Sequence, residues 1–153
     1  MAEFGYNDLQ TVQPGAGALL NTIRPCTRRP QLVMHEDQSP LVYLRGAGCN
    51  PCAKADYEVQ WSCNIAIPEG GTAGEIQLAL AIDGQIIPLT IAAATPAAAE
   101  DFWHVSGVKT IRVNLGCCPA ISVVNASVSP TPATTPAPAV AVRNLNVTVN
   151  RVA

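Results

Sequence analysis

Hydrophobic and polar residues alternate with a period of two along most of the chain, the pattern of β-strands with one buried face. The clearest case is Tyr57–Ile67, YEVQWSCNIAI, whose Glu58, Gln60, Ser62 and Asn64 form a polar, solvated face. Other strands are predicted in Leu9–Leu20 around a Pro14-Gly15 turn, in a hairpin of Leu32–Met34 and Leu41–Arg45, in Lys109–Leu115, in Ala120–Ser127 and in Val140–Ala153.

Two segments break this pattern. Ser129–Ala139, SPTPATTPAPA, is rich in proline and predicts a long external loop before a final strand at 140–153. The alternation of that strand shifts between Val142 and Leu145, which predicts a bulge or a bend. Thr95–Phe102, TPAAAEDF, is the only predicted helix, with Thr95 as its N-cap. Short strands separated by Gly and Pro turns predict one all-β domain over residues 1–153, an antiparallel jelly-roll sandwich.

The segment Ile76–Ile91, IQLALAIDGQIIPLTI, predicts a hairpin around the Asp83-Gly84 turn. Its first strand is unusual because both of its faces are apolar, and its second face carries Ala79 and Ala81. Either a neighbouring subunit covers that face, or the hairpin is central in a monomer and both faces are covered internally.

Composition excludes several classes of function. The 153 residues are 48% hydrophobic and 13% charged, with a net charge of −2, so there is no basic surface for nucleic acid. No run approaches the ~20 apolar residues of a membrane helix. The N-terminal MAEFGYNDLQ has neither a basic region nor an apolar core. We therefore expect no secretory signal and synthesis in the cytoplasm.

The segments TVQPGAGALLN, YEVQWSCNIAIP and IQLALAIDGQIIP resemble successive strands of the TNF/C1q-like jelly-roll superfamily. The resemblance runs from about Leu9 to Val149. It is strongest to the bacterial and phage branch, whose motifs fall on Tyr57–Pro68 and Asp83–Pro88. That branch includes the heads of collagen-like spore-surface proteins. Because no Gly-X-Y tract precedes the domain here, the stand-alone phage proteins are the better match.

The resemblance implies a homotrimer, with the chain itself as its first partner. We predict a trimer interface at Ile76, Leu78, Ala79, Leu80, Ala81, Ile82, Ile86 and Leu89. It also implies a structural role on the surface of a phage virion, as a capsid decoration or head-fibre protein that binds the major capsid protein or another virion protein. The alternative is a ligand-binding or adhesive module on a bacterial spore or cell.

Residues 1–8 are interpreted as an N-terminal arm whose Phe4 and Tyr6 anchor the protein to a capsid. The alternative is an extra strand packed on the domain's own sheet. No catalytic motif is found, so we predict a protein that is not an enzyme and has no cofactor.

The six cysteines are the remaining candidates for chemistry. Cys49, Cys52, Cys117 and Cys118 form two close pairs that could bind zinc, although disulfides or free thiols also fit, and Cys63 is predicted in the core. The polar cluster His35-Glu36-Asp37 is interpreted as a solvated hairpin tip, and His104 as a structural histidine.

Overall fold

A computed structural model of the chain describes residues 1–25, 32–46, 54–129 and 135–153. Within these ranges the chain forms twelve strands and one short 3-10 turn, Pro88–Thr90. The strands are β1 Ala2–Tyr6, β2 Gln10–Val12, β3 Asn21–Arg24, β4 Val33–His35, β5 Val42–Leu44, β6 Lys54–Ala66, β7 Ile76–Ile82, β8 Gln85–Ile86, β9 Ala92–Ala94, β10 Trp103–Asn114, β11 Ala120–Asn125 and β12 Val140–Arg151. None of the described residues forms a helix long and apolar enough to cross a membrane.

The strands form two antiparallel sheets that pack face to face. The first sheet has the order β10-β6-β12-β1-β3, with β2 also paired to β12. The second has the order β4-β5-β11-β7-β8, with β9 also paired to β7. One core of inward side chains from both sheets lies between them. The predicted all-β sandwich is therefore confirmed, and its architecture is jelly-roll-like.

Strand β6 lies in the first sheet between the edge strand β10 and the central strand β12. Its side chains alternate as predicted, because Tyr57, Val59, Trp61, Cys63 and Ile65 are buried in the core. The polar residues between them point away from the core. This alternation gives the first sheet one apolar and one polar side.

Strand β12 contains the predicted bulge. Arg143 pairs with Asn64 and Asn146 pairs with Ser62, so β12 has one more residue than β6 between these two pairs. Asn144 takes a φ of 53°, a left-handed conformation that asparagine tolerates better than most residues. The bulge lets Val142 and Leu145 both point into the core.

The hairpin of β7 and β8 turns at Asp83 and Gly84, whose φ values of 49° and 81° are those of a type I′ turn. The second apolar face of β7 is covered within the single chain. Ala79 and Ala81 have no exposed surface, and Val124 and Ser122, their neighbours on the same face of β11, are buried as well. The internal alternative thus explains the alanine-rich pattern without a second subunit.

This burial changes the interpretation of the predicted trimer interface. Ile76, Leu78, Ala79, Leu80 and Ala81 are inaccessible in one chain, so none of them is open to a neighbour. Ile82 is partly buried against the core. Only Ile86, 40% exposed, and Leu89, 85% exposed, present large apolar surface, and the homotrimer itself stays a prediction.

Residues 2–6 form strand β1 between β12 and β3, so the extra-strand alternative describes this segment and the arm does not. Phe4 is 2% exposed and its ring packs edge-on against His35, with centroids 4.9 Å apart. Tyr6 is partly buried against the core. Phe4 therefore has no exposed ring with which to anchor the chain to a capsid.

The predicted helix at Thr95–Phe102 is wrong. The segment is irregular, and Ala99 forms a β-bridge with Ile67 instead. Glu100 has a φ of 61° and donates its N–H to the Ile67 carbonyl at 2.9 Å. A left-handed residue cannot continue a right-handed helix, and pairing with the end of β6 satisfies the backbone.

The proline-rich loop is described only in part. Ser129 and residues 135–139 belong to no strand, while residues 130–134 lie outside the described ranges.

Candidate ligand-binding face

Between the Arg112–Asp56 ion pair and Arg143, the outward side of the first sheet presents hydrogen-bonding side chains that are almost all uncharged. We define the polar face as the outward residues of three adjacent strands: Glu58, Gln60, Ser62 and Asn64 of β6, His104, Ser106, Val108 and Thr110 of β10, and Asn146, Thr148 and Asn150 of β12. Amide and hydroxyl groups predominate, so the face offers both donors and acceptors.

A depression of about 530 Å³ lies in the middle of the polar face. Its lining combines two rows that cross the three strands, Ser106–Ser62–Asn146 and Val108–Gln60–Thr148, with the neighbouring Trp61 and Gly107. Adjacent strands are about 4.8 Å apart, so each row spans roughly 10 Å. The depression thus has a width that small organic ligands can fill.

Part of the hydrogen-bonding capacity in the depression is already used. Gln60 Nε2 donates to Glu58 Oε1 at 2.8 Å. Thr148 Oγ1 donates to Asn146 Oδ1 at 3.2 Å, and Asn146 Nδ2 donates to Glu3 Oε1 at 3.0 Å. These bonds hold the amides in defined orientations.

The serine hydroxyls make no hydrogen bond within the described part of the chain. Ser62 and Ser106 face each other across β6 and β10 in direct register. They are therefore able to donate to, or accept from, a bound ligand without giving up an internal bond.

The floor of the depression depends on a close contact between β10 and a core side chain. A Cβ on Gly107 would lie 2.5 Å from Nε1 of Trp61, which is closer than non-bonded atoms approach. The Trp61 indole lies under this glycine, and its buried Nε1 finds no partner among the described residues. Gly107 is needed because only a residue without a side chain fits over the ring.

One end of the polar face carries aromatic and cationic side chains. His104 and Arg143 both pair in register with Asn64, so the three form one row across the sheet. The Arg143 guanidinium carbon lies 3.7 Å from the centre of the Phe102 ring, a cation–π stack. Trp103, 50% exposed, donates its Nε1 to Asp101 Oδ2 at 3.0 Å. Trp103 precedes the outward His104 and pairs with the buried Ile65, so its side chain points away from the polar face. We call Asn64, Phe102, His104 and Arg143 the aromatic end.

His104 approaches Asn64, with 3.3 Å between Nδ1 and Oδ1. This contact orients the imidazole through an amide, which does not activate a base as a carboxylate would. The described residues contain no group of three or more His, Cys, Asp or Glu side chains able to hold a metal ion.

The cysteines predicted as weak metal ligands fall into two groups. Cys49 and Cys52, like Cys26, lie outside the described residues. Cys117 and Cys118 are free and exposed. Cys63 is a small core residue as predicted, and its burial raises the pKa of its thiol to about 12.

The His35-Glu36-Asp37 cluster is a structural turn. The two ring nitrogens of His35 lie 2.9 Å from the Leu41 carbonyl and 3.1 Å from the Leu20 carbonyl. The Asp37 carboxylate accepts the Thr22 N–H at 2.7 Å, and this bond lowers the pKa of Asp37. The three side chains do not converge on a common point, so they form no cation site.

Sequence reasoning identified the solvated face of β6 but did not identify the polar face as a site. The signal was present in the Gln, Ser and Asn residues of β6 and in the similar run of β12. The register that brings them together joins positions more than 80 residues apart, such as Ser62 and Asn146.

No family model matches the chain. No curated protein matches it either. Among solved structures, the chain is similar to the EclA C-terminal domain, described as a sugar-binding protein, at 17% identity over 82% of this chain and 89% of that one, with a TM-score of 0.35. It is also similar to the CBM22-1 xylan-binding domain of Paenibacillus barcinonensis Xyn10C, at 11% identity over 97% of this chain and 98% of that one, with a TM-score of 0.34. These scores carry no argument about the ligand of this chain, and they do not confirm the TNF/C1q-like resemblance.

Proposed function

We propose that the chain is a non-enzymatic sugar-binding module, and that its ligand lies across the polar face. The observation that carries this proposal is the depression of about 530 Å³ lined by uncharged hydroxyl and amide side chains. Ligand pockets commonly measure about 300–1,000 Å³ and orient their ligands with a few polar groups, so the size and chemistry of this depression both suit a small ligand.

The chemistry of the lining favours a polyhydroxylated ligand. Each sugar hydroxyl both donates and accepts, and the side chains of Ser62, Ser106 and Gln60 have the same dual capacity. Glu58 is the one carboxylate on the polar face, and it already accepts a hydrogen bond from Gln60. A strongly charged ligand would find few partners in the depression, whereas a sugar would find one at each strand.

The aromatic end adds apolar contact beside the polar groups. Phe102 is partly exposed and lies just before the first residue of β10. The C–H faces of a sugar ring pack well against aromatic rings, which bury a large area with few rotatable bonds. An oligosaccharide lying along β10 would contact both the depression and the aromatic end.

The proposal is tested by isothermal titration calorimetry with soluble oligosaccharides of several backbones, such as xylohexaose, cellohexaose and chitohexaose. We expect at least one to bind the wild-type protein. Ser106→Trp places a bulky ring in the depression and should abolish that binding. Thr72→Trp adds the same ring to an exposed loop and is the matched control.

Circular dichroism establishes that both tryptophan variants are folded. The proposal fails if none of these oligosaccharides binds and if neither trigalacturonic acid nor 3′-sialyllactose binds. It also fails if a sugar binds the folded Ser106→Trp variant as tightly as the wild type.

The second candidate is the structural role on a phage virion, as a homotrimer that contacts the major capsid protein or another virion protein and touches neither nucleic acid nor membrane. The observation that favours it is the apolar surface at Ile86, Leu89 and Ile91, which are 40%, 85% and 42% exposed. Clustered exposed aliphatic residues of this kind mark contacts with other proteins.

Sedimentation velocity at micromolar concentration tests the assembly. A trimer that Leu89→Glu dissociates, and that Val128→Glu at another exposed apolar position leaves intact, supports the second candidate. A monomeric wild-type protein, or its absence from purified particles by mass spectrometry, removes it.

A further inference from the structure

Arg143 is an exposed cation whose guanidinium is held in place by an aromatic ring. Its guanidinium carbon lies 3.7 Å from the centroid of Phe102. Within the described chain it has neither an ion pair nor a hydrogen bond, and the single ion pair found there joins Arg112 to Asp56. The N–H groups of Arg143 are therefore oriented by stacking and have no partner among the described residues, although arginine usually binds carboxylates in pairs of bonds.

The backbone explains why Arg143 lies on this surface. It is the last residue of β12 before the bulge, and bulges redirect the side chains beside them. Its cross-strand partner is Asn64, and His104 follows in the same row. An anion in this row would meet the guanidinium first, with the amide of Asn64 as an additional donor.

The surrounding charges leave the row open to an anion. Asp101 already accepts a hydrogen bond from Trp103 Nε1 at 3.0 Å. Glu100 is exposed and lies at a left-handed turn, and neither carboxylate is within ion-pair distance of Arg143. On the polar face, Glu58 lies six positions along β6 from Asn64, beyond Ser62 and Gln60.

We infer that the aromatic end selects sugars that carry a carboxylate, which the stacked guanidinium of Arg143 binds through two hydrogen bonds. This inference rests on the proposed sugar-binding function and names its ligand class. The hydroxyl groups of the sugar bind in the depression, and the acidic group reaches the row of Arg143, Asn64 and His104. Uronic acids and sialic acids share this chemistry.

The decisive probes differ only in the carboxylate. Trigalacturonic acid and its methyl ester have the same ring framework, and calorimetry compares their dissociation constants. A second pair, 3′-sialyllactose and the methyl ester of its sialic acid residue, tests the other source of the same group. We expect at least one acid to bind the wild-type protein at least tenfold more tightly than its uncharged counterpart, and added salt to weaken that preference.

Arg143→Gln should abolish the preference for the acid, because the contact that distinguishes the acid from its uncharged counterpart is lost. Arg112→Gln is the matched control: it removes the same charge from the outward side of β10, but at a residue already paired with Asp56. The control should keep the full preference. Phe102→Leu should reduce the preference, since the guanidinium loses the ring that orients it.

The outcomes separate this inference from the function on which it rests. If uncharged sugars bind as tightly as both acids, the sugar-binding function stands and the carboxylate selection is overturned. If Arg112→Gln removes the preference as fully as Arg143→Gln, the effect is general charge and the selection is also overturned. If no probe binds, acidic or uncharged, both proposals fail.

Discussion

Asn125 is the buried polar residue on which the packing of β11 against its neighbouring segments depends most. It is 1% exposed. Its Nδ2 donates to the carbonyls of Val12 and Pro138, both at 2.9 Å, and its Oδ1 accepts the N–H of Ser127 at 2.9 Å. One side chain thus connects β2, the segment before β12 and the end of β11.

Asn125→Asp keeps the size of the side chain and removes both donors. The carboxylate would still accept from Ser127, but its second oxygen would face the carbonyls of Val12 and Pro138. Leaving each buried carbonyl without a donor costs about 1–3 kcal/mol, so the two together cost about 2–6 kcal/mol at neutral pH. That is a large part of the 5–15 kcal/mol by which domains of this kind are usually stable.

The cost should depend on pH with a definite sign. Burial beside two carbonyls raises the pKa of the new carboxyl above its unfolded value. The variant is therefore least destabilised below about pH 4, where the protonated group donates to one carbonyl, and most destabilised above the raised folded pKa. Urea unfolding followed by tryptophan fluorescence at pH 4 and pH 7 measures both values.

The matched control is Asn114→Asp, the same exchange at an exposed position of β10. It should change the free energy of unfolding by less than about 0.5 kcal/mol. The account of Asn125 is refuted if Asn125→Asp at pH 7 also lies within 0.5 kcal/mol of the wild type. It is refuted equally if the loss is greater at pH 4 than at pH 7.

Three further predictions concern other parts of the sandwich. Gly107→Ala should lower the free energy of unfolding in urea by about 1–3 kcal/mol, because the new Cβ would overlap the Trp61 indole. Gly74→Ala is the control and should leave the free energy of unfolding unchanged, since no atom lies within 4 Å of the new Cβ. Equal effects of the two variants would contradict this packing. The thiol of Cys63 has a pKa raised to about 12, so it should not react with iodoacetamide at pH 7.5 in the folded protein and should react after unfolding. Mass spectrometry measures the labelling. Rapid labelling of Cys63 in the folded protein would contradict its burial. Arg112→Gln should raise the lowered pKa of Asp56 toward 3.8 in an NMR titration. The ion pair stabilises the wild type only while Asp56 is ionised, so this contribution disappears as acid protonates Asp56, and the variant lacks it at every pH. An unchanged pKa of Asp56 in the variant would argue against the ion pair in solution.

Features set by neighbouring residues could be predicted from the sequence. The alternation of Tyr57–Ile67 identifies β6 and its buried face, and Asp83-Gly84 identifies the type I′ turn. The shift between Val142 and Leu145 identifies the bulge of β12. In each case the period of the strand or the φ of one turn residue is decided locally.

Features set by distant contacts could not be predicted in the same way. Thr95–Phe102 has a helical composition, but its Ala99 pairs with Ile67, and this pairing overrides local propensity. Phe4 looked like the tip of an arm because nothing in residues 1–8 reveals that β12 lies alongside them. Ala79 looked like a subunit contact because the local sequence does not show that the rest of the same chain buries its face of β7.

The candidate site depends on distant contacts throughout. Ser62 and Ser106 face each other only because β6 and β10 pair in one register, and a shift by one residue would bury one of them. Phe102 and Arg143 are 41 positions apart, and neither belongs to a recognisable motif. The polar residues of the face can be identified from the sequence, but only the pairing of β6, β10 and β12 shows that they lie next to one another.

The measurement that tests the central claim most directly is an NMR titration of the ¹⁵N-labelled protein with the tightest-binding sugar from calorimetry. The account predicts that the shifted signals map to the outward residues of β6, β10 and β12, including the side-chain amides of Gln60 and Asn146. A titration whose shifts map instead to the second sheet, or in which no sugar shifts any signal, would contradict it.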